Sequence, residues 1–413
     1  MTSTATHTLP PALASAPVPP LLPTEVESDL REAVRGFLAD RADFDTVAAA
    51  YEEDPATGSA TRDAVDAGLA GELGLFGLLV PEDLGGAGAG IAEAAVVAEE
   101  IGRAAAPSRF LSSAVLAATL LVRSGAAEQE PGAGVVTGLV EGSALPVLAY
   151  TADRDELHAE VSVSGSAGLP EPGAEVSLTG AVPAVAEAVG ASSLLVVTGA
   201  GQDTLVLSVP TDATGVTVSG FLTFDMTRPL ADVEFTGASA TVLAAGPRAA
   251  RAVGEALLVG RTLLAVEQYG VAQRAFDITL EYVKGRRQFG RTLGSYQALK
   301  HRLADLWLAV EQAGAATTYA ARQVGTHLEA TADGSAGTDT LAEAELTALV
   351  AAAYAGEVAV DATEEGVQMH GGNGMTWEYP LHLLLKRAKQ DEQLLGLPEQ
   401  ARRDIAPLVG LGV

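Results

Sequence analysis

The 413-residue chain has no cysteine. That absence removes disulfides, thiolate metal sites and cysteine nucleophiles, and it suits a reducing cytoplasm, the expected location. Basic residues are scarce: 25 Lys and Arg stand against 53 Asp and Glu, a formal net charge of -28. Such a chain is repelled by a phosphate backbone and by an anionic bilayer, so neither nucleic acid nor a membrane is expected as a partner. A phosphorylated small molecule remains open, because it needs only a local basic pocket. The lysines are indeed local: Lys284, Lys300, Lys386 and Lys389 are the only ones. No segment reads as long and apolar enough to span a bilayer. No His-x-x-x-His or carboxylate spacing points to a metal, and no repeat of solenoid period is evident.

What is present falls into three zones after a leader. Residues 1–23 lack Lys and Arg, and Pro10, Pro11, Pro17, Pro19 and Pro20 break every apolar run, so a disordered leader is expected rather than a signal peptide. Over residues 24–144 the apolar spacing is helical, with Leu30, Val34, Phe37 and Leu38 on one face. A glycine-rich stretch, Gly85 to Gly90, reads as a flexible turn between helices. Over residues 145–245 short strands alternate with turn residues, as in Leu194–Val197, Thr204–Val209 and Val216–Val218, which suggests a small barrel or sandwich. Over residues 246–413 helical patterns return at Ala249–Lys284, Gln297–Gly325, Asp339–Glu364 and Pro380–Leu394. Four long helices with short joints argue for a four-helix bundle.

Two stretches carry the chemistry. The first runs Gly285-Arg286-Arg287-Gln288-Phe289-Gly290-Arg291 and continues through Gly294-Ser295-Tyr296-Gln297. A guanidinium is a planar fork of donors suited to a pyrophosphate. The second is Gln368-Met369-His370-Gly371-Gly372-Asn373-Gly374, where side-chain-free residues let backbone N–H groups approach a ligand closely. Taken alone, Arg286 and Arg287 fit a solvated helix end, and Gly371 to Gly374 fit an ordinary helix–helix turn.

Together, and in this order, these motifs resemble the two flavin-phosphate signatures of the acyl-CoA dehydrogenase family. Leu73-Gly74-Leu75-Phe76-Gly77-Leu78-Leu79-Val80-Pro81-Glu82, Val176 to Gly180 and Phe224-Asp225-Met226-Thr227-Arg228 resemble further landmarks of that family. The resemblance covers residues from about 25 to about 397. It implies an α+β multidomain fold: an N-terminal helical domain, a small middle β-barrel or sandwich domain and a C-terminal four-helix bundle. It implies FAD as cofactor. Arg286 would meet the pyrophosphate, Phe289 would pack on the cofactor and Gln297 would hydrogen-bond near it. Gln368, Gly371, Gly372 and Gly374 would cradle the ADP portion. In the family both motifs reach a neighbouring subunit's flavin, so a homo- or hetero-oligomer, dimer or tetramer, is implied. The implied activity is α,β-dehydrogenation of an acyl-CoA or an acyl-carrier thioester, an oxidation at CH–CH in fatty acid or sterol metabolism. Electrons would leave to an electron-transfer flavoprotein or another acceptor.

The chain departs from the family at three places. The commoner position of the catalytic glutamate falls on Leu395 and the rarer one on Gly260, neither able to accept a proton. The loop that meets the flavin ring in the family reads Ala149-Tyr150-Thr151-Ala152-Asp153-Arg154 here. Glu267 is the one candidate replacement base; its alternative is an ion-pair residue on the helix surface or between subunits. Asp391 and Glu392 lie about one helical turn from the expected base, beside Arg387 and Lys389, on a face that reads as solvated. The pattern fits one subunit of a heteromer. Two other functions stay open: a non-catalytic structural partner completing a true dehydrogenase's FAD site, and a flavin-dependent monooxygenase on the same scaffold.

Overall fold

In the computed structural model the described residues are 18–152, 154, 156–165, 168–332 and 338–411. The leader expected over residues 1–23 lies outside them as far as residue 17. The N-terminal part packs α1 (Glu25–Arg41), α2 (Phe44–Ala49), α3 (Ala60–Gly71), α4 (Ile91–Ala104), α5 (Ala118–Ser124) and α6 (Gly132–Val140). Thr24 caps α1 by accepting from the Glu27 N–H at 3.2 Å, and Glu25 and Glu27 complement the helix dipole. The predicted face is the buried one, with Val34 and Leu38 in the core. A π-helical stretch, Phe110–Ala117, leads into α5, and all eight of its residues are buried. The Gly85–Gly90 segment is tied down rather than flexible. The N–H groups of Ala87, Gly88 and Ala89 donate to Gly77, Val80 and Leu78 at 2.8–2.9 Å.

The β region is one curled seven-stranded sheet, which answers to the barrel among the two forms expected and not to the sandwich. Its strands are β1 (Pro146–Ala149), β2 (Val161–Ser164), β3 (Glu175–Ala186), β4 (Ser193–Thr198), β5 (Leu205–Pro210), β6 (Val216–Phe221) and β7 (Leu230–Ala245), in the order β1-β4-β5-β7-β3-β2, with β6 paired to β7. The sheet curls until Ala159, just before β2, donates to the Val197 carbonyl at 2.7 Å. β4 and β5 are buried on both faces. Leu194 and Val196 point into the sheet's own core, while Leu195 and Val197 pack on the helices. This is why they read as unbroken apolar runs while β6 alternates.

The C-terminal part is the expected helical bundle, built on three long helices, α7 (Pro247–Gly285), α8 (Gln297–Ala332) and α9 (Thr338–His370), with a shorter fourth packed on them. Two helices of 11 residues follow, α10 (Leu381–Asp391) and α11 (Pro398–Leu408). Between α7 and α8 a hairpin forms from β8 (Arg287–Gln288) and β9 (Arg291–Thr292). One expectation about membranes is corrected: Asp339–Met375 is long and apolar enough to cross a bilayer by length and composition. Of its apolar window 67% is buried inside the protein, where α9 packs on α7 and α8, so its apolarity serves the core.

Candidate functional site

The two predicted motifs meet at one end of the helical bundle. Tyr282, on the last turn of α7, stacks on His370 with ring centroids 3.9 Å apart. Its hydroxyl donates to the His370 carbonyl at 3.4 Å and accepts from Asn373 Nδ2 at 3.3 Å. His370 is buried, with Nδ1 2.8 Å from the Gly366 carbonyl oxygen, and burial lowers its pKa. The glycine turn is thereby fixed to the helix that delivers the arginine hairpin. Phe289 and Gly290 form the two-residue hairpin tip, both at positive φ (51° and 82°), as a primed turn requires.

Every side chain on this end that sequence reasoning assigned to the cofactor points to solvent. Arg286, Arg287, Gln297 and Gln368 are exposed, and the Phe289 ring is 88% exposed. Arg286 and Arg287 make no ion pair among the described residues, whereas Arg291 covers the Tyr296 ring at 3.8 Å. Gly371 (φ 61°) and Gly372 face open space, with nothing within 4 Å of where a Cβ would stand. Gly374 differs. A Cβ there would stand 2.8 Å from the Val367 carbonyl oxygen, so its lack of a side chain lets the turn fold onto α9.

The three departures from the family also meet, at a second place. The Leu395 N–H donates to the Ala152 carbonyl at 3.1 Å. A Cβ on Gly260 would stand 3.2 Å from Leu395 Cδ1 and 2.4 Å from Leu116 Cδ2. Leu395 and Tyr150 are each 2% exposed, and Gly260 is buried. Both base positions and the ring-side loop thus lie at one packed junction of the N-terminal helices, the sheet and α7.

Beside this junction two arginines are sealed in. Arg228 donates to both Glu267 oxygens at 3.0 Å, to Asp391 Oδ1 at 2.5 Å and to Glu187 Oε1 at 3.4 Å. Arg387 donates to Asp225 Oδ2 and Glu267 Oε1, each at 2.6 Å, and to the Ala106 carbonyl at 3.1 Å. Tyr51 and Thr227 donate to Asp225 Oδ1 at 2.8 and 2.5 Å. The network therefore joins α4's exit, the β7 approach, α7 and α10. Burial opposes the charge on Arg228, but Glu267, Asp391 and Glu187 outweigh it and hold the guanidinium well above its ordinary value. Burial pushes the Asp391 carboxyl up to about 8, and its Oδ2 has no hydrogen-bond partner among the described residues.

These contacts correct two sequence readings. Glu267 is 2% exposed, and its ion pairs lie within the chain, not on a helix surface or between subunits. Both its oxygens are engaged by guanidiniums, which leaves it no geometry for abstracting a proton. Asp391 is 0% exposed rather than on a solvated face, while Glu392 is half-buried. Sequence reasoning missed Arg228 and Arg387 as partners. The signal was spacing: on α10 the residues Leu384, Arg387, Ala388 and Asp391 all fall on the buried stripe.

Comparison with known proteins places this geometry. A family model described as "Acyl-CoA dehydrogenase, N-terminal domain" matches residues 24–131, and one described as "Acyl-CoA dehydrogenase, C-terminal domain" matches residues 250–409. The acyl-CoA dehydrogenase IpdE2 of Mycobacterium tuberculosis is 31% identical over 93% of this chain and 97% of its own length. Among solved structures, the ChsE4-ChsE5 complex from Mycobacterium tuberculosis matches with a TM-score of 0.78 and 26% identity, covering 96% of this chain and 100% of that one. The Tcur3481-Tcur3483 steroid ACAD matches with a TM-score of 0.77 and 27% identity, covering 94% and 98%.

Proposed function

Since the chain belongs to the acyl-CoA dehydrogenase family, we propose that it is one subunit of a heteromeric, FAD-dependent acyl-CoA dehydrogenase acting at CH–CH. Its bundle end serves the phosphate half of FAD in a site shared with the partner. The partner supplies the ring-side pocket and the base. The observation that carries this reading is the packing of Leu395 over Gly260 and against Ala152: both base positions are apolar and the ring-side loop is closed.

The residues present fit one half of the cofactor and not the other. At the bundle end, unpaired guanidiniums stand beside a glycine turn whose backbone is open, a donor set that suits a pyrophosphate. At the junction, Leu116, Tyr150 and Leu395 occupy the space with buried side chains. When bound, FAD supplies the hydride acceptor for the family's oxidation. This chain's part is to bind and orient: Arg286 offers its donor fork, Gly371 and Gly372 offer backbone, Gln297 and Gln368 offer amides and Phe289 offers an apolar cover. The names of the steroid ACAD and the two-component ChsE4-ChsE5 complex support a bulky, steroid-type acyl thioester as substrate and a heteromer as the assembly. Electrons pass to an electron-transfer flavoprotein or another acceptor.

The test is to purify the chain alone and co-expressed with the product of a neighbouring dehydrogenase gene. Flavin absorbance per chain and turnover of a steroid acyl-CoA are then measured. The proposal expects no retained flavin and no turnover from the chain alone, and both from the complex. One FAD per isolated chain with full turnover would sink it.

A further inference from the structure

A cavity of about 400 Å³ opens where the C-terminal half of α1 meets α2, the end of α4, α7 and α10. That volume lies within the roughly 300–1,000 Å³ of ordinary small-molecule sites. Leu38, Ala42, Val47, Ile278, Leu383 and Leu384 give it an apolar floor. Three guanidiniums reach its wall, from Arg35, Arg103 and Arg274. Two of them are satisfied: Arg35 donates to both Glu100 oxygens at 2.8 and 2.7 Å, and Arg103 donates to Asp277 at 2.9 Å. The lining carboxylates are also engaged, Glu100 by Arg31 and Arg35, and Asp43 by the Thr46 N–H at the start of α2.

Arg274, an exposed residue of α7 at the rim of the cavity, is left over. It makes no hydrogen bond or ion pair among the described residues, in a chain whose acids outnumber its bases by 53 to 25. Partial burial and the like charges of Arg103 and Arg35 hold its guanidinium below the ordinary value, against the opposing pull of the Asp277 and Glu281 carboxylates. An anion seated there would relieve that repulsion, and an apolar tail would cover the floor.

We infer that this cavity binds an amphipathic anion, an apolar chain ending in a carboxylate or a phosphate, with the head group on Arg274. The guanidinium fork serves either head group. The inference is independent of the FAD half-site, because it needs no flavin, partner subunit or turnover.

Calorimetric titration of the full chain with decanoate, decyl phosphate and decanol tests it. Saturable binding of one anion per chain is expected, with decanol at least roughly tenfold weaker because it lacks the charge-assisted bond. Arg274→Gln should bring the anion's affinity down to that of decanol. Ala39→Trp, at an exposed lining position on α1, should abolish binding with the unfolding midpoint unchanged. Equal affinity for decanol and both anions, retention of anion affinity within about twofold in Arg274→Gln, or unaltered binding in Ala39→Trp would each overturn the site.

Discussion

Arg286 and Arg287 stand in solvent at the end of the bundle, whereas Arg228 and Arg387 are sealed at the junction of three structural layers. The residue type is the same and the surroundings are opposite. At the junction the chain supplies its own acceptors: Glu187, Glu267, Asp391, Asp225 and a backbone carbonyl. At the bundle end it supplies none to the side chains of Arg286 or Arg287 among the described residues. An arginine completed by its own chain is part of the architecture; one left without acceptors is available to another molecule. The difference separates what this chain needs in order to fold from what it would offer to the proposed assembly.

The largest expected effect comes from breaking the sealed side. Arg387→Ala leaves the buried charge of Asp225 without its guanidinium and takes one of two guanidiniums from Glu267, so it should destabilise the chain by about 3–5 kcal/mol. Denaturant unfolding of the chain alone measures this, and a loss near zero would mean the network is not structural. The open side should answer differently. Arg286→Ala should leave that unfolding curve in place but reduce FAD affinity of the assembled complex roughly tenfold or more, read by flavin titration. Equal damage to stability and to flavin binding by both variants would erase the distinction.

Two smaller effects sharpen it. Gly260→Ala forces a methyl group onto Leu116 and Leu395, and overpacking of this kind costs about 1–3 kcal/mol. Thermal unfolding should show the loss, and a neutral result would mean the junction has room for a larger group. The smallest effect concerns pH. Burial raises Asp391 to about 8 in the folded chain, above its unfolded value, so folding takes up a proton over that interval. Its contribution is therefore fully present below about pH 4 and is lost as pH rises through about 8. Asp391→Asn should flatten this part of the stability profile between about pH 4 and pH 8.

Much of the fold could be read from the chain because its signals are local. The apolar face of α1, the Pro247 start of α7 and the unbroken runs of β4 and β5 are written in consecutive residues. The bundle end was legible for the same reason: Arg286 to Gln297 and Gln368 to Gly374 are short motifs. The junction was not. Asp225 and Glu267 lie 162 and 120 residues from Arg387 along the chain, and only the fold brings them together. The same holds for Gly260 and Leu395, which looked like two independent absences and share one contact. Gln368 and Phe289 keep their sequence-based roles as proposals, since their exposure shows availability and names no ligand.

The hairpin tip has a consequence for how such a subunit is handled in a cell. A Phe289 ring left 88% in water, with Met375 and Trp377 also exposed nearby in the sequence after the glycine turn, is a sticky surface until something covers it. Mutual repulsion between copies carrying a formal charge of -28 opposes their clumping in the meantime. In the proposed heteromer, matched production of the two polypeptides would therefore set how long this surface stays uncovered and how much working enzyme accumulates.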